Sequence, residues 1–122
     1  MIKGTGADII EIDRIERAFN CSNKFFSRIF TKKEREYLQS TGLKFATMAG
    51  YFAAKEATSK ALGTGFRDFS FKDIEITKDA VNKPSISLHG EAKSIAESLG
   101  VNHIHLSISH NRTTAIAYVV ME

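Results

Sequence analysis

The segment Phe52-Ala53-Ala54-Lys55-Glu56-Ala57-Thr58-Ser59-Lys60-Ala61-Leu62-Gly63-Thr64-Gly65 decides how the rest of the chain is read. Alanine and other strong helix formers fill it and no proline interrupts it, so it predicts a helix running from about Phe45 to Leu62. Gly63 and Gly65 supply the positive-φ conformations that end a helix. Ala49, Ala53, Ala57 and Ala61 recur every fourth residue and form a smooth ridge where another element can approach closely. Two side chains do not suit a plain packing helix. Glu56 follows Phe52 by one turn and Met48 by two, which puts a carboxylate in line with large apolar groups, and Lys60 follows Glu56 by one turn. An exposed i,i+4 ion pair, worth about 0.2–0.5 kcal/mol, accounts for them. So does a half-buried carboxylate beside a fixed cation, an arrangement used in metal–phosphate chemistry.

Upstream of this helix, Ile2 to Ile12 alternates as a strand, with Gly4, Gly6, Asp8, Ile10 and Ile12 on one face. Asp8 therefore falls on a mostly apolar face, although aspartate is depleted in strands and costly to bury unpaired. It is either a strand-end turn residue or a functional group. Asp13 and Glu16 have capping-box spacing and predict a short helix reaching about Phe19. Phe25, Phe26, Ile29 and Phe30 form the stripe of a second helical piece. Thr31 and Glu34 make another capping box, opening a helix through Leu38. Downstream, Ile74–Ile76 and Ile86–Leu88 alternate around the turn Asn82-Lys83-Pro84 and predict a hairpin. Glu91–Leu99 reads as an amphipathic helix stopped by Gly100. His103–His110 and Thr114–Met121 read as strands joined at Asn111-Arg112. Helices crowd the first half and strands the second, which predicts an α+β fold with an antiparallel sheet packed against helices. The length of 122 residues predicts a single domain over 1–122.

Composition narrows the function. With 43% hydrophobic and 25% charged residues the chain has ordinary soluble, globular composition, and no apolar run reaches membrane-spanning length. The start Met1-Ile2-Lys3-Gly4 carries no signal-peptide core, and the single cysteine, Cys21, allows no internal disulfide, so a cytoplasmic location is expected. A net charge of +3 suits a phosphate-bearing ligand or an acidic partner, while the interleaving of acids with bases argues against nucleic acid. There is no Walker-type phosphate loop, no dinucleotide-binding glycine fingerprint and no nucleophile elbow. His103, His105 and His110 lack zinc-like partners in their neighbourhood of the sequence. Asp8 and Glu56 remain as an oxygen-only pair that suits Mg²⁺, an ion that keeps waters and takes further ligands from substrate phosphates. Lys60 can then offset charge on a transferring phosphoryl oxygen.

The motifs, taken in order, resemble those of the holo-acyl-carrier-protein synthases. Gly4-Thr5-Gly6-Ala7-Asp8-Ile9-Ile10-Glu11-Ile12-Asp13-Arg14-Ile15 is similar to the opening segment of that family, and Phe26–Glu34 to its second. Phe52–Gly65 matches its central helix almost position for position. His105-Leu106-Ser107-Ile108-Ser109-His110 matches its late strand. The likeness runs the length of the chain and fits the small homotrimeric type. It implies transfer of 4′-phosphopantetheine from coenzyme A to a serine of apo-acyl carrier protein, releasing adenosine 3′,5′-bisphosphate, with Mg²⁺ as cofactor and in support of fatty acid biosynthesis.

The resemblance also implies roles. Asp8 and Glu56 match the metal ligands, and Lys60 matches a lysine near the phosphates. Gly63, Gly65, Lys83, Pro84, His105, Ser107 and Ser109 match positions on the coenzyme A side. Arg14 and Arg28 match positions that meet the acidic carrier, with Arg17 and Lys24 as nearby basic groups. The serine proton goes to a metal-bound water or to Glu56; the water is favoured, because a metal-ligated carboxylate is a poor base. The family's active site lies between subunits, which would give the alanine ridge a use. Tyr51, Asn82, Thr114 and Thr5 depart from the family pattern, Tyr51 standing where many members have an arginine that contacts phosphate. The alternative function is a non-catalytic module that binds a nucleotide or an acidic protein. Loss of Asp8 or Glu56 would favour that alternative, and both are present.

Overall fold

A computed structural model describes residues 1–66 and 68–122. The chain runs β1 (Gly4–Glu11), α1 (Ile12–Cys21), α2 (Phe25–Ile29), α3 (Lys32–Ser40), α4 (Phe45–Leu62), a 3₁₀ turn (Phe71–Asp73), β2 (Ile74–Lys78), β3 (Pro84–Leu88), α5 (Gly90–Ser98), β4 (Ile104–His110) and β5 (Thr114–Met121). β1, β5 and β4 form one antiparallel sheet in that order, and β2 and β3 form a separate hairpin. The α+β expectation therefore holds, and α4 has the bounds read from the sequence.

The helix α4 lies on the inner face of the three-stranded sheet and is buried around most of its circumference. The glycines of β1 explain how close it comes. A Cβ on Gly4 would collide with the carbonyl oxygen of Ala61, and one on Gly6 with that of Ala57. The ridge Ala49, Ala53, Ala57 and Ala61 is thus spent inside the chain, fully or almost fully buried against β1 and β5. Its expected use as a surface between subunits is incorrect, because small side chains on both partners let strand and helix backbones meet first. Inner positions of the sheet (Ile10, Ala115, Ala117, Val119, Met121) close the core.

The first helix starts earlier than the capping-box spacing predicts. Glu11 still pairs with Thr114 across the ladder and the Ile12 amide donates to Thr113 O at 2.8 Å, so the strand turns directly into α1 with no side-chain cap. Asp13 is already inside the first turn and pairs with Arg17 at 3.3 Å, and the helix extends to Cys21. The second capping box forms as expected: Thr31 accepts from the Glu34 amide and Glu34 accepts from the Thr31 amide. Asn82 takes φ 64°, so the hairpin turn keeps the left-handed residue it needs without glycine.

Lys55 is fully buried, and its Nζ lies 2.8 Å from Glu34 Oε1, itself wholly enclosed. The ammonium also donates to the carbonyls of Phe71 (2.9 Å) and Ile74, while Glu34 Oε2 accepts from the Ile76 amide at 2.7 Å. Burial lowers the Lys55 pKa from its ordinary value and Glu34 opposes that. One ion pair thereby ties α4 to α3 and β2. Nothing in the local spacing of the motif assigns Lys55 this role. Its signal was positional: it sits in the middle of the stripe Met48, Tyr51, Lys55, Thr58 and Leu62, all buried.

Candidate functional site

The strand β1 pairs with β5 from Gly4 opposite Met121 to Glu11 opposite Thr114, which places Asp8 opposite Ala117 on the inner, helix-facing side. Packing brings α4 across that side, and Asp8, Glu56 and Arg14 then line one open cleft of about 390 Å³ together with Ile9, Phe25 and Phe52. Lys60 reaches over its edge. Its Nζ lies 3.3 Å from Asp8 Oδ1 and donates to Ala7 O at 2.9 Å. The helical pair Glu56–Lys60 proposed from spacing alone is replaced by the cross-element pair Asp8–Lys60.

The electrostatics of the cleft favour a cation. Burial pushes the Glu56 carboxyl above its ordinary range, the negative charge of Asp8 pushes it further, and Lys60 only partly offsets both. Two carboxylates that repel each other at a cleft wall form a donor set that fits Mg²⁺, which needs only one or two protein carboxylates. Among the described residues no cluster of three or more histidine, cysteine or acidic side chains is assembled for a metal.

Three of the residues matched to the coenzyme A side gather elsewhere. Lys83, Pro84 and His105 line a second cleft of about 250 Å³, with Asp79, Ser85 and Leu106, between the β2–β3 hairpin and the β4 edge of the sheet. Asp79 shapes that wall by accepting from the Val81 and Lys83 amides at 3.0 and 2.8 Å. Ser107 and Ser109 share the outer face of β4 with His105 and are exposed, but they line neither cleft. Gly63 and Gly65 take φ 83° and 61° in an open turn after α4, also away from both clefts. Arg28 is exposed on α2, outside the first cleft.

Of the departures, Tyr51 is the most altered. It is 2% exposed and stacks on Tyr37 with ring centroids 6.0 Å apart and planes 4° from parallel, at the wall of a third cleft that also holds Lys33, Lys78 and Asn82. Burial pushes its phenol pKa well up. Lys78 Nζ lies 5.5 Å from the Tyr37 ring.

Known proteins resemble this chain in sequence and fold. Residues 4–119 match the family model described as the 4′-phosphopantetheinyl transferase superfamily. The chain is 52% identical to the holo-acyl-carrier-protein synthase of Clostridium acetobutylicum, over all of this chain and 98% of that one. It superposes with a TM-score of 0.92 on the corresponding synthase of Neisseria meningitidis (37% identity, 100% and 99% of the two chains). It superposes at 0.84 on that of Helicobacter pylori in complex with coenzyme A (37% identity, 97% and 99%). The chain belongs to the 4′-phosphopantetheinyl transferase superfamily. Within it, the chain is a transferase of the holo-acyl-carrier-protein synthase type, which removes the non-catalytic alternative.

Proposed function

We propose that the chain transfers 4′-phosphopantetheine from coenzyme A to the serine of an acidic apo-acyl carrier protein in a Mg²⁺-dependent reaction, releasing adenosine 3′,5′-bisphosphate. The observation that carries this is the meeting of Asp8 and Glu56 at one cleft wall with Lys60 bonded to Asp8. The chemistry Mg²⁺ supplies when bound is neutralisation of charge on the pyrophosphate oxygens. Asp8 and Glu56 would hold that ion. Lys60, anchored by Ala7 O, presents a fixed cation to the phosphate being transferred. Arg14, at the mouth of the same cleft, meets the carrier's acidic surface, with Arg28 on the neighbouring helix. Glu56 or a water in the cleft takes the serine proton.

The nucleotide end of coenzyme A occupies the second cleft, against Lys83, Pro84 and His105. A site is then completed by two copies of the chain in a homotrimer, the first cleft of one copy facing the second cleft of its neighbour. An exposed outer sheet face carrying Ile9 (66% exposed), Ile116 (44%) and Tyr118 (49%) supports self-association. The enzyme works in the cytoplasm, supplying holo-carrier for fatty acid synthesis.

Intact mass of an apo-carrier incubated with coenzyme A, with and without Mg²⁺, tests the reading. The phosphopantetheine mass shift is expected only with the metal. Asp8→Ala and Glu56→Ala should each abolish it while leaving the circular dichroism spectrum intact. Full transfer by either variant would remove the assigned metal role.

A further inference from the structure

His105 does not stand alone on the outer face of β4. It lies opposite Val120 in the ladder, and the side chain that reaches it comes from two residues further along, where the outer alternation of β5 continues into Glu122. Glu122 is anchored in place by backbone bonds: its amide donates to His103 O at 2.9 Å, and its carbonyl accepts from the Asn102 and His103 amides at 2.7 and 2.8 Å. From that anchor Oε1 lies 2.8 Å from His105 Nε2. His103 is the directly opposite residue, and its ring is 6.4 Å from that of His105, yet the carboxylate turns to His105. The hydrogen bond from His105 holds the Glu122 carboxyl below its ordinary range. An ionised carboxylate only accepts hydrogen bonds, so Nε2 carries the hydrogen. Nδ1 is then the ring nitrogen left for a ligand in the second cleft, beside Lys83 and Pro84.

We propose that Glu122 is a positioning residue for coenzyme A binding: it fixes the orientation and tautomer of His105 so that Nδ1 faces the nucleotide. This rests on the assignment of the second cleft to the nucleotide made above. The physical reason is that an exposed imidazole otherwise rotates and exchanges tautomers freely, and the partner of one ring nitrogen sets the state of the other. A fixed ring loses less freedom when the ligand binds. Glu122 touches no reacting atom, so it should act on nucleotide affinity and leave the chemical step alone.

Two measurements on the intact enzyme test this. The first is ¹⁵N–¹H correlation of histidine-labelled protein above the ordinary imidazole titration range. The His105 ring should be the Nε2–H tautomer in the native protein and a mixture in Glu122→Ala, which leaves no side-chain acceptor. An unchanged ring in the variant overturns the proposal without touching the functional assignment. The second is steady-state transfer to apo-carrier. Glu122→Ala should raise KM for coenzyme A by about fivefold, the upper size of an exposed ion pair, with kcat and KM for the carrier within about twofold. Adenosine 3′,5′-bisphosphate should bind the variant more weakly by the same factor. Adding Glu122→Ala to His105→Ala should cost nothing further. A fall in kcat with KM unchanged, or additive effects in the double variant, overturns it. If His105→Ala itself leaves KM for coenzyme A unchanged while turnover persists, the placement of the nucleotide against His105 has failed and the proposal falls with it, whatever the tautomer experiment gives.

Discussion

Asp8 and His105 lie on opposite faces of one sheet. Asp8 pairs with Ala117 and points toward α4, whereas His105 pairs with Val120 and points outward, on the strand at the far edge from β1. A single copy presents them to opposite sides of that sheet. The proposed coenzyme A site, which uses both, draws them from two copies. Mixing Asp8→Ala protein with His105→Ala protein under conditions of subunit exchange should therefore restore transfer activity above the sum of the two alone, because a mixed assembly contains a site with both residues native. Activity no greater than that sum would place the whole site in one chain.

The outer sheet face should control assembly. Ile9, Ile116 and Tyr118 are exposed large apolar groups, and Ile9 pairs directly with Ile116. Tyr118→Glu puts a charge in the middle of that face and should convert the proposed trimer to monomers in light scattering after size exclusion. Transfer should be lost while the thermal unfolding of the monomer remains cooperative. A variant that stays trimeric would move the interface elsewhere.

Glu56 predicts a pH dependence of metal binding. Burial first, and the charge of Asp8 second, raise its pKa above the ordinary 4.5. Between the unfolded and the raised folded pKa, the metal-free folded protein therefore binds more proton at this group than the unfolded chain does. From this group alone, stability is highest below the unfolded value and falls as pH rises through the raised folded pKa. Mg²⁺ must displace that proton, so its affinity should weaken as pH falls through the same raised pKa. Calorimetric titration of Mg²⁺ at a series of pH values should show this dependence, and Glu56→Gln should remove the proton release along with most of the binding. A pH-independent affinity would separate Glu56 from the metal.

The Lys55–Glu34 pair predicts a large effect on stability. Replacing Lys55 by methionine keeps the volume but leaves the Glu34 carboxylate enclosed with only the amides of Thr31 and Ile76. Losing one partner of a buried pair costs about 3–5 kcal/mol. Urea unfolding of Lys55→Met should show a loss of that order. A loss under about 1 kcal/mol, the usual size for an exposed pair, would mean that the carboxylate finds water or another donor. Because Lys55 precedes Glu56 on α4 and also holds the 3₁₀ turn through Phe71 O, part of any activity loss should be recovered by lowering the temperature.

Several features were legible without coordinates because they depend on local rules. The alanine-rich helix with its glycine stop, the Thr31–Glu34 box, the hairpin around Asn82 and the alternation of β4 and β5 all formed as read. The Asp13 box did not, because a competing long-range bond from Ile12 to Thr113 carried the strand straight into α1. Asp8 and Glu56 were legible as misplaced carboxylates, since charge on an apolar face is a local anomaly. Lys55 was not read, because only the arrival of Glu34 from another helix makes a lysine in a buried stripe stable.

The sequence by itself determined the elements, the α+β class and the two carboxylates with Lys60, since period, propensity and residue type are properties of neighbours along the chain. Only the tertiary structure decided what those residues face. The register of β1 on β5 set Asp8 inward and His105 outward, and β1 glycines drew α4 close enough for Lys60 to leave Glu56 and pair with Asp8. Contacts between residues distant in sequence are fixed by packing, and a one-residue change of register would have reversed every one of those facings.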